Sequence, residues 1–142
     1  MARLGTLRAG DISRARAAAV ESGWGKHILT EPKLLRGAML GTGSISYHHL
    51  VAWQRIPGVE IVALCNRTIK KARQRADQFG IDRAHVYSDH EELLDNEELD
   101  FVDIATAPAI HRAQVEAAAA RGVPIICQKP LAPTLEDAQA MI

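Results

Sequence analysis

The chain has 142 residues, 47% of them hydrophobic, and a formal net charge of zero at pH 7, which suits one domain of ordinary size burying roughly two-thirds of its unfolded surface. Charge is uneven, with seven Arg and Lys against three acids over residues 1–36 and ten against fourteen beyond, but this basic excess is too diffuse for a nucleic-acid footprint. No stretch approaches the roughly 18 apolar residues of a membrane span and no apolar leader is visible, so a cytoplasmic protein with no membrane or nucleic-acid partner is expected.

Residues 1–34 read as an N-terminal appendage. Asp11 is placed to cap a short Ala- and Arg-rich helix that ends near Ser22-Gly23, and Trp24-Gly25 and Glu31-Pro32 follow as breakers. A surface helix with a loose tail is the plain expectation; a flap over a bound ligand or a contact in a homo-oligomer is the functional one.

From residue 35 the pattern alternates. Apolar runs at Leu35 to Leu40, Val59 to Cys65, His85 to Tyr87, Phe101 to Ala105 and Pro124 to Cys127 predict strands. Helices are predicted between them. The first runs from Ser44 to Ile56, with Ile45, His49, Ala52 and Ile56 on one face; the second follows Thr68, turns Lys70, Lys71, Arg73 and Arg75 outward and ends at Gly80. An acidic helix from Asp89 to Asn96 and a longer one from Pro108 to Arg121 complete the alternation, and Thr134 with Asp137 forms a capping box for a helix over Leu135 to Ile142. Continuously apolar strands alternating with helices imply an α/β fold with a doubly wound parallel sheet, order 3-2-1-4-5. That order separates Cys65 from Cys127 by roughly 14 Å, too far for a disulfide, so both are expected to be buried packing residues.

The run Leu40-Gly41-Thr42-Gly43-Ser44-Ile45 breaks a strand into two glycines and restarts as a helix, where unpaired N–H groups receive phosphate. Ser46 stands where a third glycine would bring helix and strand closest. At the end of the second strand, where an acid usually binds the adenosine ribose of NAD, the chain has Asn66 and Arg67. Loss of the carboxylate removes its repulsion of a 2'-phosphate, which tilts the expected cofactor from NAD toward NADP. Thr106, Pro108 and His111 after the fourth strand, and Gln128, Lys129 and Pro130 after the fifth, share that rim. On position alone Lys129 has two readings: an ordinary solvated strand-end lysine, or a side chain that hydrogen-bonds a substrate oxygen or the nicotinamide ribose and whose charge stabilises an alkoxide as hydride leaves carbon. His48 and His49 point to different sides of one helix, so His49 is expected as a hydrogen-bonded core residue. A metal site is not expected.

Together the Gly-Thr-Gly-Ser-Ile turn, Asn66-Arg67, the Thr106 to His111 segment and Gln128-Lys129-Pro130-Leu131-Ala132 resemble the N-terminal NAD(P)-binding domain of the Gfo/Idh/MocA oxidoreductases, over residues 35–142. The resemblance implies a Rossmann domain and a small-molecule substrate, a sugar, polyol or related hydroxyl-carbonyl compound. It also implies Lys129, at the nicotinamide and substrate, as the catalytic candidate, with Pro130 fixing the turn. The family pattern is Glu-Lys-Pro; Gln128 replaces its glutamate and loses the negative charge. The family also carries a second α/β domain that supplies a proton-transferring histidine. No counterpart lies within residues 35–142, so the chain is expected to be a truncated piece that binds cofactor without turnover. A non-catalytic dinucleotide-binding regulatory or sensor module is the alternative.

Overall fold

Short apolar strands cannot bury both faces alone, and the chain covers them with helices on either side. The computed structural model describes residues 33–142; the helix expected after Asp11 and its breakers lie outside the described residues. The elements are β1 (Leu35–Leu40), α1 (Ser44–Trp53), β2 (Val59–Cys65), α2 (Ile69–Phe79), β3 (Val86–Tyr87), α3 (His90–Asn96), β4 (Phe101–Ile104), α4 (His111–Ala120), β5 (Ile125–Cys127) and α5 (Leu135–Ala140). The strands form one sheet in the order β3-β2-β1-β4-β5, with every neighbouring pair parallel. This is the predicted doubly wound arrangement.

Alternation along the central strand divides the core. Ala38 and Leu40 pack with Val102 and Ile104 against Leu93 and Leu94 of α3 and Val115 and Ala118 of α4. Met39 and Leu64 face the other way, onto Leu50 of α1 and Ala72 and Ala76 of α2. Each fully buried leucine contributes on the order of 1.5–3 kcal/mol, so these two faces, more than intrinsic propensity, hold helices of six to eleven residues.

Several boundaries differ from expectation. α1 stops at Trp53, not Ile56, and its buried residues are Ser46 and Leu50, whereas Ile45 and Ile56 are 44% and 45% exposed. The helix is apolar on more than one side, so its periodicity admits several phases; packing against the sheet selects the one that seats Ser46. Arg83–His85 form a 3-10 turn capped by the Asp82 carboxylate, which shortens the third strand. Pro108–Ile110 likewise form a 3-10 turn before α4. The fourth and fifth strands each lose one predicted terminal residue, Ala105 and Pro124. α5 ends at Ala140, and its box forms as expected, with Thr134 Oγ1 accepting from the Asp137 amide and donating to its carboxylate. Cys65 and Cys127 are both free; Cys127 is only partly buried, since β5 is an edge strand.

Gly37 has a packing role. The Phe101 ring lies where its side chain would begin, and that ring packs 4.9 Å from the Trp53 ring, centroid to centroid. We predict that Gly37→Ala lowers stability in urea denaturation by about 1–3 kcal/mol, because the ring has to shift within a packed layer. A change below about 0.5 kcal/mol contradicts this packing account.

Candidate functional site

At the C-terminal rim the central strand gives way to its turn. Gly41 has φ of +102° and approaches β4 so closely that a Cβ there would stand 2.6 Å from the Ala105 carbonyl oxygen; only glycine meets both conditions. Gly43 differs, because a Cβ there would meet nothing within 4 Å. It is the N-cap of α1, and no side chain caps the helix. The first amides of α1, with the positive end of the helix dipole, therefore face open space.

Thr42 is buried, and its hydroxyl Oγ1 has no hydrogen-bond partner among the described residues. A buried hydroxyl without a partner is unfavourable by about 1–3 kcal/mol, so a ligand acceptor there relieves a standing cost. Uncapped amides, an orphaned hydroxyl and space where a side chain would intrude fit the pyrophosphate of a dinucleotide. Ser46, in the third glycine position, is fully buried and donates its hydroxyl to the Gly43 carbonyl at 2.8 Å. That bond secures the turn from inside.

Arg75 secures it from outside. Expected to face solvent, it instead reaches from α2 with Nη2 donating to the carbonyls of Gly43 at 3.1 Å and Thr42 at 3.4 Å. Its guanidinium lies 5.2 Å from the Tyr47 ring centroid. Because C=O and N–H of a trans peptide point oppositely, holding those two carbonyls turns the amides of Gly43 and Ser44 away from Arg75. Four basic residues in one helix read alike in sequence, and nothing there singled this one out.

The turn opens on a cavity of about 770 Å³ whose lining includes Gly41, Thr42, Gly43, Asn66, Arg67 and Thr106. The Asn66 amide donates to the Thr68 carbonyl at 3.1 Å, and Arg67 is exposed. Thr106 Oγ1 donates to Gln114 Oε1 at 2.6 Å. Cys65 also lines this cavity; burial, followed by the charges of Asp89 and Glu92, pushes its thiol up to about 12. Burial and then Asp103 push Cys127 up as well. Neither thiol is a nucleophile at neutral pH.

Ser44, Ile45, Pro108, His111, Gln128, Lys129 and Pro130 are outside that lining. Ser44 and Ile45 belong to the first turn of α1, and Pro108 opens the 3-10 turn before α4. His111 is fully buried, with Nδ1 3.0 Å from the Leu131 carbonyl and Nε2 3.1 Å from that of Thr106. The ring is thus packed between the loop after β4 and the loop after β5, and as a neutral imidazole it donates to one of these two carbonyls. The latter loop starts with the Gln128 amide donating to Ile104 at 2.9 Å, and its Lys129–Pro130 bond is cis. Lys129 is exposed, with no ion-pair partner among the described residues.

His49 was expected in the core but is only partly buried. Its Nδ1 lies 2.8 Å from Asp103 Oδ2, and its Nε2 lies 3.0 Å from Gln128 Nε2. Asp103 is the residue the sequence reading passed over. The signal was available: a carboxylate inside an apolar central strand needs buried donors.

The family model described as "Oxidoreductase family, NAD-binding Rossmann fold" (GFO_IDH_MocA) matches residues 35–142. The chain belongs to this oxidoreductase family. It is 50% identical over 113 residues to a D-apiose dehydrogenase of Paraburkholderia graminis, covering 80% of this chain and 30% of the relative. It is 35% identical over 109 residues to an inositol 2-dehydrogenase of an Arthrobacter species, covering 76% and 32%. Among solved structures it superposes on an oxidoreductase from Agrobacterium radiobacter in complex with NAD+, L-tartaric acid and magnesium, with TM-score 0.73 and 45% identity over 77% of this chain and 31% of that one. The chain thus spans about 30% of the length of these Gfo/Idh/MocA relatives.

If the open space at Gly43 receives the pyrophosphate, filling it blocks binding. Gly43→Val is predicted to weaken NADH affinity by about tenfold or more while the circular dichroism spectrum stays native. Unchanged affinity in the folded variant removes the turn from the site.

Proposed function

We propose that the chain is the cofactor-holding part of an NAD(P)-dependent dehydrogenase or reductase acting on a sugar, polyol or related hydroxyl-carbonyl compound. One observation carries this reading: the uncapped glycine turn at 41–44 and the exposed Lys129, on a loop braced by His49 and His111, stand on the same rim of one parallel sheet. Ligands of such sheets bind along that rim. The substrate class is supported by the relatives, which are dehydrogenases of apiose and inositol.

In this reading residues 35–142 form the cofactor domain and residues 1–34 an appendage to it. Thr42, Gly43, Ser44 and Ile45 hold the pyrophosphate through backbone amides and the Thr42 hydroxyl. Asn66 and Arg67 take the adenosine end, Thr106 and Pro108 border the crevice, and His111, Gln128 and Pro130 fix the lysine loop. The nicotinamide, when bound, accepts or donates the hydride. Lys129 contributes a positive charge beside the substrate oxygen, which favours the alkoxide form where charge develops. The 142 residues by themselves bind the cofactor without turning over substrate, because the described residues build only the cofactor side of the cleft.

NADP is the favoured cofactor. The residue after β2 is Asn66 and not an acid, the Asp89 carboxylate that also lines the cavity accepts from the Glu91 and Glu92 amides, and the exposed Arg67 guanidinium at the cavity edge suits a bidentate phosphate contact. Fluorescence titration of the purified chain should show NADPH binding at least as tightly as NADH, with Arg67→Ala removing any NADPH advantage. No steady-state oxidation of either should accompany binding when sugars or polyols are added. NADH binding tenfold tighter than NADPH contradicts the phosphate role, and binding of neither contradicts the proposed function.

A further inference from the structure

A wholly buried carboxylate lies beneath the lysine loop, and cofactor binding makes no use of it. Asp103 sits on β4 in register with Met39, so it faces α1. Its Oδ2 accepts from Trp53 Nε1 at 2.7 Å and faces His49 Nδ1 at 2.8 Å, while Oδ1 has no partner among the described residues. On the far side of the imidazole, Nε2 lies 3.0 Å from the side-chain nitrogen of Gln128. The Gln128 oxygen accepts from the Lys129 backbone amide at 2.7 Å.

The far end of this chain of bonds fixes the direction of every proton in it. A backbone N–H only donates, so the Gln128 atom facing Lys129 is the oxygen and the atom facing His49 is the NH2 group. An NH2 group only donates, so His49 Nε2 accepts, and the ring proton sits on Nδ1, where the carboxylate receives it. Reversing the Gln128 amide would set an NH2 against an N–H at 2.7 Å, two donors facing each other.

We propose that Asp103 and His49 are positioning residues for Lys129. They hold the Gln128 amide in one orientation through a neutral His49 in its Nδ1–H form, and glutamine at position 128 selects that form. The inference rests on the reading of Lys129 as the residue at the reacting end of the cofactor. A glutamate at 128 offers oxygen at both ends of its carboxylate. It can still accept from the Lys129 amide, but its other oxygen then requires a proton on His49 Nε2, making an imidazolium between two carboxylates. With glutamine the bonds stay uncharged between Asp103 and the loop, leaving the Lys129 ammonium without an acidic neighbour in sequence.

Long-range proton–nitrogen spectra of the apo chain at pH 7.5 test this. Wild type should show His49 with Nδ1 in the protonated range and Nε2 in the unprotonated range, without averaging. Gln128→Glu, a change at the accessible end of the network, should move Nε2 into the protonated range while Nδ1 stays there. His49→Ala should raise the fast-timescale mobility of the Lys129 and Leu131 amides, and His49→Gln, which restores an acceptor toward Gln128, should reduce it again. Lys129→Ala should leave the His49 signals unchanged, because only the backbone amide takes part; if NADH shifts the amides of Thr42 to Ile45 in wild type but leaves that of Lys129 unmoved, the reading of Lys129 at the reacting end of the cofactor fails while the positioning stands. An Nε2–H or averaged His49 in folded wild type, or a His49 spectrum unmoved by Gln128→Glu, overturns the proposal.

Discussion

Where the central strand leaves the sheet, its backbone presses against the next strand's exit. The Gly41 amide still donates to Cys65 on one side at 2.8 Å, and the Ala105 amide donates to Leu40 on the other at 2.8 Å. With two ladders continuing past the strand ends, β1 cannot spread from β4 to admit a side chain, and the chain must turn at a positive φ. Glycine alone does so without strain. The turn's direction then aims the start of α1 at the crevice, which leaves Thr42 buried and Gly43 open.

The rest of the rim is fastened to that exit from both faces. On the α1 face, Asp103 gathers Trp53 and His49 and through His49 reaches the loop after β5. On the α4 face, His111 packs between the loops after β4 and β5. Both braces use buried or half-buried groups, and removing a hydrogen-bond partner from such a group costs about 1–3 kcal/mol, more where the group left behind is charged. The position of Lys129 is therefore set by the core, although its ammonium is exposed. Arg75 does the same for the glycine turn from α2.

The fold was legible because its strands are short apolar runs bounded by turns, and periodicity reports such runs directly. The phase of α1 was not, since a helix apolar on several sides gives no single stripe and the sheet chooses among them. Gly41, Thr42, Gly43 and Arg67 were readable because spacing alone puts them at strand ends. Asp103 and Arg75 were missed because their meaning comes from contacts made across 28 to 54 residues, between elements adjacent only after folding. Asp103 still left a trace, an acid in an apolar strand opposite His49 and Trp53 at helical spacing; Arg75 left none.

Every role proposed for this rim depends on whether the glycine turn receives a dinucleotide. Proton–nitrogen correlation spectra of the chain titrated with NADPH address this directly. Saturable shifts should concentrate on the amides of Thr42 to Ile45, with smaller ones at Asn66, Arg67 and Thr106, while Arg83 to His85 at the opposite end of the sheet stay still. Saturable binding that leaves Thr42 to Ile45 unmoved, or shifts centred elsewhere, would contradict those roles.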